Sequence, residues 1–196
     1  MSTSRVIGRP RSETSRRAIL EAAFALLVAR GYAGFAIESV AAAAGVGKTT
    51  VYRWWESKAA LAVDAFFHAT EAELRFPDTG LAESDFRAQI AELAGLLRGG
   101  RGQALAAMLG GARTDPLLAR ALGERWLEPR RRWGIARMTT AAAAGELLPD
   151  TDIAAALALL YGPLYAPLLF GGAVPEPAAV AAYLDLACRG IFRPRA

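Results

Sequence analysis

The chain has 196 residues, 54% of them hydrophobic, with 23 basic groups, 19 acidic ones and a single histidine. That length holds one or two domains around a sizeable core, and alanine and leucine at the expense of isoleucine, threonine and tyrosine favour helix over sheet. No run of ~20 apolar residues lacks Gly or Pro punctuation, which excludes a membrane span, and the lone Cys188 excludes an intramolecular disulfide and fits a reducing cytoplasm.

Residues 1–12 are polar and basic, and no apolar run follows them as in a signal peptide. Gly8 and Pro10 should break any helix there, so the stretch is predicted to be a flexible basic arm. Within it Gly8-Arg9-Pro10-Arg11 is similar to the core of an AT-hook, where Arg9 and Arg11 would lie along a narrow minor groove; a tail with no fixed contact is the plain alternative. A first helix is predicted from Ser12–Ser15 to Gly31, with Ile19, Ala22, Ala23, Leu26 and Leu27 on its buried face. Ile37, Val40, Ala41 and Ala44 then repeat at i, i+3, i+4 and i+7, the spacing of one helical face. Gly45 follows, where a left-handed backbone conformation costs glycine little. A short third helix opens at Lys48. It turns Val51 and Trp55 to one side and Lys48, Thr49, Tyr52 and Arg53 mainly to others.

A buried helix braced against an exposed basic one is the plan of a DNA-binding helix-turn-helix. The charge agrees. Residues 1–60 hold nine basic groups against four acidic ones, and the remainder fourteen against fifteen, so the net +4 sits in the first third. A fourth helix, about 58–75, begins with Ser57 as cap and should connect this domain, 13–58, to the rest, 59–196. Lys58 in its first turn opposes the helix dipole by about 0.3–1 kcal/mol. A phosphate could supply the missing negative charge; a solvated lysine is the other reading.

Pro77, Asp78 and Gly80 mark a break, and helices are expected at about 83–98 and 101–112, from Pro116 through a kink at Pro129 to Gly145, from Asp150–Asp152 to about Phe170, and from Pro177 to Phe192. No strand alternation stands out, and the predicted class is all-α with nine to ten helices. The last two helices are apolar around much of their girth. Ile153, Leu157, Leu160 and Leu164 line one, and Val180, Tyr183, Leu184, Ala187 and Ile191 the other. One side can be the subunit's own core and the other a partner's in a homodimer; the alternative buries both within a monomer. Trp126, Arg130, Trp133 and Arg137 form a stripe that is either a cavity wall for an acidic or aromatic ligand or core tryptophans with arginines reaching water. Phe86, Met108, Met138, Tyr161 and Tyr165 are further candidates for a ligand pocket.

Gly47-Lys48-Thr49 has the tail of a P-loop, but Ala42 stands where the motif needs another glycine, within a predicted helix. His68 and Cys188 are far apart and supply no recognisable zinc ligand set. No catalytic residue, metal or cofactor is expected.

From Ile19 to Leu61 the sequence resembles the DNA-binding domain of the TetR (tetracycline-repressor) family. The resemblance is carried by Ile19-Leu20-Glu21-Ala22-Ala23, Gly31-Tyr32, the run Val40 to Val46, Thr50-Val51-Tyr52, Trp55, Ser57-Lys58 and Leu61. The stretch Glu124 to Arg131, Gly145-Glu146-Leu147 and Gly162-Pro163-Leu164-Tyr165 are similar to one C-terminal subgroup of that family. The resemblance implies a ligand-responsive repressor that binds a palindromic double-stranded operator as a homodimer, in the cytoplasm, under a small-molecule effector. It places Lys48, Thr49, Thr50, Tyr52 and Arg53 in the recognition helix and its backbone contacts, and Tyr52 and Lys58 on phosphate. Two departures stand out: Gly47 replaces a Ser/Thr cap, and Trp54 stands where a polar aromatic is common. A helical small-molecule-binding protein or enzyme with an incidental basic N-terminus is the competing class.

Overall fold

The chain was analysed as a computed structural model that describes residues 9–70 and 77–194, with side chains from residue 13 onward. Ten α-helices run through these residues. The first four are α1 (Arg9–Arg30), α2 (Ile37–Ala43), α3 (Lys48–Tyr52) and α4 (Lys58–Thr70). The remainder are α5 (Ala82–Leu96), α6 (Gly100–Gly111), α7 (Pro116–Leu122), α8 (Glu128–Ala143), α9 (Ile153–Leu169) and α10 (Pro177–Arg189). An antiparallel bridge, Leu147 to Phe192, ties the segment after α10 to the turn after α8. None of the described helices is long and apolar enough to cross a membrane.

Two elements depart from the sequence-based expectation, and a third meets it despite two prolines. Helix α1 begins at Arg9, ahead of Ser12–Ser15. Pro10 sits in its first turn, where the missing N–H is one that no helix satisfies internally, so proline starts this helix instead of breaking it. The backbone of Arg9 and Arg11 is therefore helical and not the extended hook; residues 1–8 lie outside the described residues. The expected kink at Pro129 falls before it. Glu128 N–H reaches back five residues to Gly123 C=O in a π-turn, Gly123–Leu127, because Pro129 offers no N–H to continue the four-residue ladder. Helix α9 runs to Leu169 through both Pro163 and Pro167. Burial of Leu160, Leu164 and Leu168 along one face, worth about 1.5–3 kcal/mol per side chain, outweighs the two missing hydrogen bonds.

Helix α4 organises the molecule. It packs on α1 in the N-terminal head and on α6 and α7 in the C-terminal body. Leu61, Ala62, Val63, Ala65 and Phe66 are fully buried along it. Phe66 meets Trp126 edge-on at 4.8 Å, which joins α4 to the π-turn. The body's polar spine is Asp85, fully buried on α5. It accepts from Thr79 N and Oγ1, both at 2.7 Å, and from Arg137 Nε at 2.6 Å.

Candidate nucleic-acid interface

Helices α2 and α3 form the helix-turn-helix. Ile37, Val40, Ala41, Val51 and Trp55 are buried, as the periodicity requires. The turn is a Schellman motif: Val46 N–H donates to Ala41 C=O and Gly45 N–H to Ala42 C=O, with Gly45 at φ +66°. Gly47 caps α3 through its backbone only, since it has no side-chain oxygen to offer. Its carbonyl accepts from Thr50 N at 2.9 Å.

Lys48, Thr49, Tyr52, Arg53 and Trp54 are all exposed, and Thr50 is half-buried. Tyr52 is 52% exposed although aromatic, a costly arrangement for a ring with no partner to cover it. Lys48 Nζ pairs with Glu38 Oε1 at 2.7 Å, across α2 and α3. The hydrogen bond from Lys48 holds the Glu38 carboxyl below its ordinary range. This pair is open to solvent and weak, so the ammonium can exchange it for another anion.

Trp55 is anchored through its indole: Nε1 donates to Asp64 Oδ2 at 2.9 Å. Asp64 also pairs with Arg125 of the π-turn and lies 3.9 Å from Arg16. The Arg16 guanidinium lies 6.0 Å from the Trp54 ring centroid and 5.9 Å from that of Trp55. Trp54 thus rests partly against α1 with its outer edge in solvent.

Lys58 departs from expectation. Its Nζ donates to Tyr32 C=O at 3.1 Å and lies 4.2 Å from the Tyr32 ring centroid. Neither a phosphate nor bulk water is needed to account for it. The carbonyl and ring supply the negative potential that the helix start lacks. Tyr32 O–H in turn donates to Asp115 Oδ2 at 2.6 Å, while Asp115 Oδ1 caps α7 through Leu117 and Leu118 N–H. Burial, then the bond to Asp115, raises the Tyr32 hydroxyl well above its ordinary pKa. Nothing in the local sequence around Tyr32 signalled this junction with α7, because its partner lies 83 positions away.

The structure also redistributes the residues predicted for the body. Leu160, Leu164, Val180, Leu184, Ala187 and Ile191 are covered by the subunit's own helices, and Tyr183 O–H donates to Leu160 C=O at 3.2 Å. They cannot form a partner-facing stripe. The large apolar side chains left in solvent are Leu159 and Leu169 on α9, Phe170 just past its end, and Leu186 on α10, at 51%, 59%, 89% and 73% exposure. Exposed alanines continue that face at 155, 166, 179 and 182. Helices α9 and α10 thus each carry an inner and an outer apolar stripe, and the predicted residues lie mainly on the inner one. Of the seven pocket candidates, Phe86, Met108, Trp126 and Met138 are fully buried, and Trp133 packs on Phe86 with ring centroids 5.0 Å apart. Only Tyr161 and Tyr165 border the cavity between α8 and α9, which Ile153 and Leu157 also line. Arg137 is mostly covered and does not extend into open solvent, being held between Asp85 at 2.6 Å and Glu146 at 3.8 Å.

Comparison with known proteins agrees with this geometry. Residues 19–65 match the model for bacterial regulatory proteins of the tetR family, and residues 76–187 that for a tetracyclin repressor-like C-terminal domain. The chain is 34% identical over 165 residues to the uncharacterized HTH-type transcriptional regulator YdeS of Bacillus subtilis (strain 168), covering 84% of this chain and 83% of that protein. The crystal structure of the TetR family transcription regulator SCO0332 is 36% identical, covers 91% of this chain and 99% of its own, and superposes with a TM-score of 0.69. FadR from Bacillus subtilis in complex with stearoyl-CoA, 18% identical, covers 90% of this chain and 100% of its own with a TM-score of 0.72, a likeness of fold alone. The chain belongs to the TetR family of bacterial DNA-binding transcription regulators.

Proposed function

We propose that this regulator is a ligand-responsive repressor that binds a palindromic operator as a homodimer. The observation that carries the reading is the surface of α3, where Lys48, Thr49, Tyr52 and Arg53 stand exposed on a helix whose other side is locked by buried Val51 and Trp55. Lys48 and Thr49 at its start reach base edges, Arg53 supports them, and Tyr52 meets phosphate. Thr50, half-buried, positions the helix on the backbone, and Trp54 lies against sugar and phosphate beside Arg16. Lys58 acts from within, by holding Tyr32. Arg9 and Arg11, at the start of α1, add to the positive charge of the head.

Two heads require a twofold interface. The exposed face of Leu159, Leu169, Phe170 and Leu186 supplies it, since an apolar patch on two adjacent helices is the usual mark of association. A small-molecule effector enters the body beside α8 and α9, and this reading assigns no enzymatic step. The link from body to head is the chain of contacts from the π-turn through Arg125 and Asp64 to Trp55. An effector weakens DNA binding only by favouring an arrangement of that link that DNA does not.

Substitutions on α3 test the interface. Tyr52→Ala should lower affinity for all duplexes by about tenfold, the loss of one hydrogen bond to a charged group. Lys48→Ala should cost about 1–3 kcal/mol and relax base preference at one position of each half-site. Gel shifts with the operator and its single-base variants measure both. Unchanged affinity in Tyr52→Ala, or an unchanged preference in Lys48→Ala, would remove α3 from the contact.

A further inference from the structure

Between α8 and α9 lies a cavity of about 520 Å³ walled by Leu127, Ile135, Ile153 and Leu157, with Tyr161 and Tyr165 at one end. None of its described lining residues is acidic. Arg130 also lines it, yet that residue is only 7% exposed. Its guanidinium lies 3.4 Å from the Trp126 ring centroid and donates one hydrogen bond to Trp126 C=O at 2.6 Å. Its Nε is buried without a partner. Among the described residues no carboxylate lies within ion-pair distance of it, whereas Arg137 on the same helix has Asp85 at 2.6 Å.

A buried cation without a counter-ion is expensive, and apolar replacement of such a group commonly costs nothing. The protein neutralises Arg137 internally and leaves Arg130 without a counter-ion beside a mainly apolar cavity. Tyr165 stands next to it. Its oxygen accepts from Trp126 Nε1 at 3.2 Å, which leaves its own O–H to donate. The only other cation among the described lining residues, Arg131, is at the rim, 66% exposed and 3.9 Å from Glu128.

We infer that the cavity takes a small molecule with an apolar body and one carboxylate, the carboxylate paired with Arg130 and hydrogen-bonded by Tyr165. One buried cation matches one negative charge, and the aliphatic walls match the remainder of the ligand. This rests on the effector reading above and gives that effector its chemistry.

Calorimetric titration of the full chain tests it with two pairs of probes of the same shape: octanoate against octanamide, and 1-naphthaleneacetate against 1-naphthaleneacetamide. At least one acid is expected to bind saturably and about tenfold or more tightly than its amide, the scale of a charge-assisted hydrogen bond lost. Arg130→Met should erase that difference and leave the melting temperature unchanged or raised. If Arg130 serves only to stack on Trp126, Arg130→Met melts lower and acid and amide bind alike, which overturns the proposal. So does saturable binding by neither acid at millimolar concentration. Should Arg130→Met fail to fold, the acid-to-amide ratio in the unaltered protein decides alone. Acid binding that leaves operator affinity unchanged in a gel shift would uphold the anion site and contradict the effector role.

Discussion

Glutamate at both Leu159 and Leu186 is expected to give a folded, monomeric subunit that binds operator about a hundredfold or more weakly. These side chains are 51% and 73% exposed in the single chain, so the substitutions bury no charge within the subunit. In a twofold assembly they would meet their symmetry mates, and four carboxylates would be desolvated together. The loss of affinity follows from avidity. Two heads held by one interface bind as a linked pair, and separating them forfeits about 10²–10⁴ in apparent affinity. Glutamate at Leu160 or Leu184 is the contrast. Both are at most 3% exposed within the protomer, so an unpaired carboxylate there should unfold the subunit. Light scattering reports the mass and circular dichroism the helix content. A dimer that survives in the Leu159, Leu186 double variant would move the interface to another face.

Asp85→Ala should destabilise the body by about 3 kcal/mol or more, the cost of leaving a buried cation without its partner. Asp85 is fully buried, and the side chain of Arg137 is 12% exposed. Glu146 stands 3.8 Å from Arg137 and offsets part of the loss, but Glu146 Oε2 already accepts from Ala82 N–H at 2.7 Å. Burial alone would push the Asp85 carboxyl up; the hydrogen bonds from Thr79 and the pairing with Arg137 outweigh it and hold it below its ordinary range. A carboxyl depressed by folding adds stability above its unfolded value that is lost as pH falls through the folded one. The Asp85 contribution is therefore complete at neutral pH and disappears only below about pH 4. Urea unfolding at pH 7 and at pH 3 measures it. The gap between the unaltered protein and Asp85→Ala should shrink at the lower pH; an equal gap at both would assign the loss to packing.

The head was legible because its signals are local. The spacing of Ile37, Val40 and Ala41, the glycine at 45, and the pair Val51 and Trp55 each mark a turn or a buried face within a stretch of twenty residues. The all-α class followed from composition and from proline and glycine at the helix limits. What escaped the sequence was pairing over distance. Lys58 finds a carbonyl 26 positions away, and Arg137 a carboxylate 52 positions away. The inner and outer apolar stripes of α9 and α10 differ by one position in a helix apolar on both sides, and periodicity gives no reason to prefer one. Arg130 was visible in the stripe with Trp126, but only the fold shows that no acid among the described residues reaches it.

The most direct test is selection of bound duplexes from a randomised pool by the purified full chain, followed by titration of the enriched site at several salt concentrations. A regulator that presents two α3 helices should enrich a palindrome whose half-sites lie about one helical turn or more apart. Its affinity should fall steeply with salt and exceed that for random duplex by about 10³ or more. Enrichment of no sequence, or equal affinity for selected and random DNA, would contradict a sequence-reading role for α3.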